Sequence, residues 1–177
     1  VALGSYSATM LRTIGLRIPV YPAKGYSITL PVTAPAAAPT VSLTDEAHKL
    51  VFSRLGGELR VAGTAELTGY DTSINVGRCT AIVERVRSLF PEAGDYGRAR
   101  FWAGLRPATP SNVPLIGRSA VSNLYLNTGH GTLGWTLSCG SGRALADLMS
   151  GRTPDVDFRF LGTAVRVTRL AQAHRTA

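Results

Sequence analysis

The chain has 177 residues, 45% hydrophobic and 17% charged, with a formal net charge of +8. That length buries one good core or parts of two domains, and no apolar run approaches the roughly 18 residues of a membrane-spanning helix. The positive balance is carried by arginine, with Lys24 and Lys49 the only lysines. The arginines are scattered, with a loose group at Arg159, Arg166, Arg169 and Arg175. They neither gather on one helix nor interleave with aromatics, so no nucleic-acid partner is expected.

Residues 1–3 (VAL) read as a strand already under way, from which the chain is expected to be the C-terminal part of a longer protein. No charged segment leads into an apolar one, so no signal peptide is expected. Gly4-Ser5-Tyr6-Ser7 is a turn in which Ser5 or Ser7 is expected to cap a short helix through Met10 and Leu11. Residues 17–21 alternate around Pro19 as a strand. Residues 25–32 (GYSITLPV) form another, with Tyr26, Ile28, Leu30 and Val32 on one face. Residues 33–40 are a Pro/Ala loop. Residues 48–54 and 58–63 are strands joined at Leu55-Gly56-Gly57, a hairpin signal.

Residues 71–90 carry apolar positions at helical spacing, with Asp71 or Thr72 as cap and Pro91 as stop. Residues 99–105 (ARFWAGL) are an apolar strand, 106–114 an irregular loop, and Leu115-Ile116-Gly117 closes it. Residues 124–151 then run from a short strand through a glycine-rich turn into an apolar helix that stops at Gly151. Cys79 and Cys139 form no CxxC and are expected to be buried free thiols of a reducing compartment.

The turn spells G-x-G-x-x-G at Gly129-His130-Gly131-Thr132-Leu133-Gly134. A dinucleotide fingerprint opens a βαβ unit whose second strand ends in an acidic residue about 20 positions on. Asp155 stands at that distance without an apolar strand before it, so the Rossmann reading fails. Two readings remain: an ordinary tight strand–helix connection, or a helix N-terminus aimed at an electron-rich ligand. Gly140 and Gly142 lower helix stability and are expected to allow tight packing on a sheet.

The stretches VALGSYS, YPAKGYSITLP, LVFSRLGGELRVAGTAE, FWAGLRPATPSNVPLIG and NTGHGTLGWTLSCGSGRALADL occur in this order. Together they resemble the C-terminal part of the FAD-dependent D-amino-acid oxidase/dehydrogenase superfamily, closest to its bacterial D-amino acid dehydrogenase members. The family's N-terminal βαβ, with its own GxGxxG for the FAD pyrophosphate, has no counterpart in these stretches. The resemblance implies an α+β fold: an antiparallel, β-rich substrate domain with a flanking helix, plus C-terminal strand–turn–helix elements of a GR2-type FAD-binding α/β domain. The boundaries it implies are 1–20 (a part of the FAD-binding domain), 21–105 (substrate domain), 106–162 (return to the FAD-binding domain) and 163–177 (basic tail). It further implies an FAD enzyme that oxidises D-amino acids to 2-oxo acids and ammonia by hydride transfer to the flavin. The alternatives are a related FAD-dependent amine or glycine oxidase, or a substrate-binding fragment without cofactor.

Arg106 follows an apolar strand and must be paired, because an isolated buried charge is very costly. It is either a structural ion-pair residue or a bidentate clamp on a carboxylate. The resemblance favours the clamp, since the family's G-[FL]-R-P arginine holds the substrate carboxylate, and it adds Thr132 to the substrate site. It also makes Gly131, Leu133, Gly134, Trp135 and Thr136 flavin neighbours, largely through backbone. Tyr26 lines the substrate pocket or belongs to the core, and the same choice stands for Phe52. His130 reads as a hydrogen-bonder beside the turn rather than a base. His48 and His174 lack ligand-spaced partners, so no metal site is expected. The partners implied are a D-amino acid and an electron acceptor such as a quinone, with the protein cytoplasmic and peripheral on the inner membrane face.

Overall fold

Alternating and helical stretches of this sequence separate into two compact units in the computed structural model, which describes residues 1–156. One unit is residues 23–105; the other joins residues 1–22 to residues from 106 onward. The basic tail at 163–177, the end of the expected 106–162 segment and His174 lie outside the described residues. The architecture is α+β.

The 23–105 unit is built on an antiparallel sheet of order β2-β3-β4-β1-β5. Its strands are β1 (Tyr21–Pro31), β2 (Leu43–Asp45), β3 (Leu50–Leu55), β4 (Glu58–Glu66) and β5 (Arg100–Ala108). β3 and β4 form the expected hairpin, pairing Leu55 with Glu58. Gly56, at φ +59°, supplies the left-handed residue that so tight a reversal needs. The three-residue β2 carries no pattern long enough to read from sequence. Tyr26, Ile28 and Leu30 from β1, Phe52 from β3 and Leu59 and Val61 from β4 are buried against Cys79, Ile82 and Val86 of helix α2 (Val76–Leu89). The spacing of those three α2 positions marks the single face that the helix buries. Burying one such side chain contributes roughly 1.5–3 kcal/mol.

α2 starts five residues later than the helical spacing suggests. Asn75 caps it, accepting from Arg78 N at 3.3 Å. Asp71 is engaged elsewhere: it accepts from Ser73 N (2.9 Å) and Ser73 Oγ (2.8 Å), and from Lys24 Nζ across the sheet (3.0 Å). Those bonds hold residues 71–75 outside the helix. The β1–β4 register slips by one between Lys24↔Glu66 and Tyr26↔Gly63. Thr64 in that bulge has φ +58°, rare for a β-branched residue. Residues 17–21 do not form the expected strand. Pro19 has no N–H for a ladder, and Val20 N turns back to Ile18 O at 2.9 Å. β5 runs on to Ala108, so Arg106 lies within a strand rather than at the start of a loop.

In the other unit, a 3₁₀ turn at Gly4–Tyr6 leads into α1 (Ser7–Arg12). Neither Ser5 nor Ser7 caps α1 by its side chain. Ser7 Oγ accepts from Leu3 N (3.0 Å) and pairs with Thr128 Oγ1 (2.9 Å). β6 (Leu115–Arg118) and β7 (Tyr125–Thr128) form an antiparallel pair. Residues 1–3 are not a strand, although Val1 donates to Tyr125 O and accepts from Asn127 N. Leu11, Leu16, Val20, Leu115 and Leu126 make this unit's core with Ala8. Helix α3 (Gly134–Met149) lays Ala144 and Leu148 on Ile116 and ends before Gly151, at φ +72°. Gly140 and Gly142 do not sit against the sheet: a Cβ at either would meet nothing within 4 Å. Cys79 is buried, and burial pushes its thiol pKa up. Cys139 is exposed, against expectation, because α3 buries its other face.

Candidate functional site

The site grows out of the connection from β7 to α3. Gly129 has φ +80°, and a Cβ there would stand 2.7 Å from Thr109 Cγ2, so both dihedral and packing demand glycine. Gly131 has φ +55° with open space around its missing Cβ. Its N–H donates to Pro107 O at 3.0 Å, which ties the turn to the end of β5 and brings it beside Arg106. Leu133 N closes the turn on His130 O at 3.0 Å.

α3 begins without a side-chain cap at Leu133, and the first helical bond runs from Leu137 N to Leu133 O. The N–H groups of Gly134, Trp135 and Thr136 therefore have no acceptor within the helix. With the helix dipole they present partial positive charge.

A cleft of about 270 Å³ opens at this helix start. Gly131, Gly134, Ser138 and Ser141 line it together with Gly4, Asn127 and His130. Among the described residues no lysine, arginine or carboxylate lines it. Asn127 Oδ1 and His130 Nε2 are buried without a hydrogen-bond partner. Burial lowers the His130 pKa, so the imidazole is neutral at pH 7.

Of the residues expected at a site, Gly131 and Gly134 line this cleft. Thr132, Leu133 and Thr136 are exposed around it, and the Trp135 side chain is 94% exposed. Arg106 is half-buried next to Pro107, itself a cleft residue, and burial lowers its pKa. Tyr26 lies in the 23–105 unit, 1% exposed, and its hydroxyl donates to Glu66. Phe52 is core, edge-on to Phe90 at 5.8 Å.

Asn127, Ser138 and Ser141 escaped the sequence reading. The two serines follow Gly134 at positions four and seven along the helix, a spacing of small residues that marks one face. Asn127 had no such signal.

A second polar cluster surrounds Lys24, which is 1% exposed. Its Nζ reaches Asp71 Oδ2 (3.0 Å), Glu66 Oε2 (3.1 Å) and Ser73 O (3.1 Å). Burial alone would lower its pKa, but the bonds to Asp71 and Glu66 outweigh burial and hold it above its ordinary value. The Tyr26 hydroxyl, then Lys24, hold Glu66 below the usual range. Every member of this cluster is paired, so it serves the frame rather than a ligand.

Residues 1–148 match the family model described as DAO, FAD dependent oxidoreductase. The chain is similar to the D-amino acid dehydrogenase of Dechloromonas aromatica, 60% identical over 161 residues, which is 91% of this chain and 38% of that protein. It is 56% identical to that of Paramagnetospirillum magneticum, over 92% of this chain and 38% of that protein. The chain thus spans well under half the length of these curated relatives. Among solved structures, glycine oxidase from Geobacillus kaustophilus superposes with a TM-score of 0.78 at 23% identity, over 95% of this chain and 44% of that one. Iminodiacetate oxidase from Chelativorans sp. BNC1 gives 0.77 at 24% identity, over 91% and 44%. At those identities the structures speak for the fold alone. The family match covers most of the sequence, and the chain belongs to the DAO family of FAD-dependent oxidoreductases.

Proposed function

We propose that this chain forms the substrate-binding and flavin-ring-facing parts of an FAD-dependent D-amino acid dehydrogenase, which converts D-amino acids to 2-oxo acids and ammonia. The observation that carries the reading is the uncapped start of α3 at a glycine-lined cleft. Its relatives at 52–60% identity bear the name of that enzyme. In fold terms, residues 1–20 and 106–162 act as elements of a GR2-type FAD-binding domain and 21–105 as the substrate domain.

The cleft suits the ring end of a flavin. Gly131 and Gly134 leave room for close approach. When bound, the flavin supplies the hydride acceptor for oxidation at the substrate Cα. The N–H groups of Gly134, Trp135 and Thr136 would favour negative charge on a ring held there. Leu133 shapes the turn, and the Thr136 hydroxyl is a further donor. Arg106 holds the substrate carboxylate in a two-pronged hydrogen bond, which orients Cα, and Thr132 borders the same substrate. Tyr26 keeps the substrate domain's frame through Glu66.

The electron acceptor of such an enzyme would be a quinone, with the protein peripheral on the inner membrane face. Among the described residues no helix is long and apolar enough to cross a membrane. Arg12 and Arg17 have no acidic partner there, and Met10 and Ile14 beside them are exposed. Such a basic, apolar edge suits an anionic lipid surface.

The test joins these 177 residues to the additional length of the Dechloromonas aromatica relative and loads the product with FAD. Anaerobic mixing with D-amino acids should bleach the flavin, and L-enantiomers should not. The 177 residues alone should bind FAD weakly. A loaded protein that no D-amino acid reduces would overturn the proposal.

A further inference from the structure

Strand β5 turns one face to the core under α2 and the other away from it. Phe101 and Ala103 pack on that core, so alternation sets Trp102, Gly104 and Arg106 together on the opposite face. Trp102 is 54% exposed, yet its indole is held. Arg60, between the buried Leu59 and Val61 of β4, faces the same way and stacks its guanidinium on the ring at 5.3 Å. Two positions back on both strands, Arg100 Nη2 donates to Glu58 Oε1 at 2.7 Å. Both ties reach across β1, which lies between β4 and β5.

Gly104 shows where the ring points. A Cβ at this position would overlap Trp102 Cη2, Cζ2 and Cζ3. Gly104 is not among the residues with positive φ, so the indole rather than the backbone demands glycine. The benzo edge of Trp102 therefore lies along β5 over Gly104, in the direction of Arg106. Same-face positions of a strand are about 7 Å apart, and β5 carries all three residues without a break. The ring thus covers the strand position next to Arg106.

We propose that Trp102 is a specificity-determining residue whose indole walls the side-chain end of the substrate and limits how long that side chain can be. This rests on the reading of Arg106 as the carboxylate clamp. It goes beyond that reading, because it names side-chain length as the property on which the enzyme selects and assigns the selection to a residue with no part in the chemistry.

Simple carboxylates measure the length limit without any reaction. The 177 residues extended to the relatives' full length, and loaded with FAD, are assayed with D-alanine while propanoate or hexanoate competes. The unaltered enzyme should bind propanoate more tightly than hexanoate. Trp102→Ala should raise hexanoate affinity relative to propanoate by about tenfold or more, the usual worth of apolar groups given room to bind. The ratio of kcat/KM for D-norleucine to that for D-alanine should rise with it. Trp102→Phe, a smaller ring, should fall between, and carries the same comparison if Trp102→Ala does not fold. An unaltered enzyme that already prefers hexanoate, or variants that leave the ratio unchanged, overturn the proposal.

Arg106→Ala separates this failure from that of the underlying reading. If it weakens both carboxylates alike while the Trp102 variants leave their ratio unchanged, the clamp stands and the wall is rejected. If it binds both as tightly as the unaltered enzyme, the clamp is rejected and the proposal with it.

Discussion

The two units differ in how their charges are balanced and how their helices begin. Residues 23–105 hold nine basic side chains against eight acidic ones. Their most buried charge, Lys24, is surrounded by acceptors. In the other unit, Asp147 and Asp155 are the acids among the described residues, against Arg12, Arg17, Arg106, Arg118, Arg143 and Arg152. Both aspartates are already paired, with Arg152 and Arg143. The same unit has an uncapped helix, and orphaned polar atoms occur in both units: Ser27 Oγ and Arg54 Nη1 in residues 23–105, Asn127 Oδ1 and His130 Nε2 in the other. A closed network contributes to folding, whereas unsatisfied donors and acceptors contribute once a ligand arrives. The Lys24 cluster is such a closed network, and the uncapped start of α3 is such a set of donors.

The sharpest way to break this contrast is Arg106→Ala in the flavin-loaded enzyme. Losing a charge-assisted clamp and the orientation it imposes should lower kcat/KM roughly a thousandfold, and Arg106→Lys should rescue it in part. Steady-state kinetics beside thermal melts decide the matter. Unchanged kcat/KM with a lower melting point would make Arg106 a structural ion-pair residue.

Next in size are the glycines. Gly134→Val should weaken FAD binding roughly 5- to 150-fold, the usual range for overfilling a packed site, with little change in the unfolding midpoint. Its Cβ meets only His130 Cβ, at an ordinary 3.5 Å. Gly129→Ala should do the reverse and destabilise the flavin-free protein, since its Cβ collides with Thr109. If both variants lose stability alike and FAD affinity holds, the turn is mere chain reversal.

The frame is tested by acid. Ser73's backbone N–H and hydroxyl, followed by Lys24, lower the Asp71 pKa from the usual 3.8 to about 2. Arg85, followed by His48, does the same for Asp45. A depressed carboxylate contributes stability that is complete above its unfolded pKa and lost as pH falls through its folded one. The unfolding midpoint should therefore drop between pH 4 and about 2, and Asp71→Asn should flatten the slope. A slope untouched by that change would remove Asp71 from the network.

Asn75→Ala should cost the frame about 1 kcal/mol through the lost α2 cap, without altering flavin affinity. Smallest of all, maleimide should label Cys139 in the folded protein with no loss of stability, and label Cys79 only on unfolding. Rapid reaction at both thiols would show that the α2 face is not packed.

Legibility in the sequence followed the range of the forces involved. The β3–β4 hairpin and the course of α3 were readable because glycine dihedrals and side-chain periodicity act within a few residues. The late start of α2 was not: Asp71 is an acceptable cap by every local criterion, and Lys24, 47 positions away, claims it. Tyr26 is read equally as core or pocket from its alternation. Only the pairing of β1 with β4, bulged at Thr64, brings its hydroxyl to Glu66.

What the sequence by itself determined is the run of strands and helices, the glycine turn before α3, and membership of the flavin-dependent family, since these lie in local patterns and motif order. What only the tertiary structure decided is which polar atoms are left over. Asn127 and His130 are ordinary residues in sequence; they become orphans because Thr128, Ser138 and Ser141 bond to other groups once the β7–α3 cleft forms. Satisfaction of a hydrogen-bonding group depends on everything packed around it, so no window of sequence contains the answer.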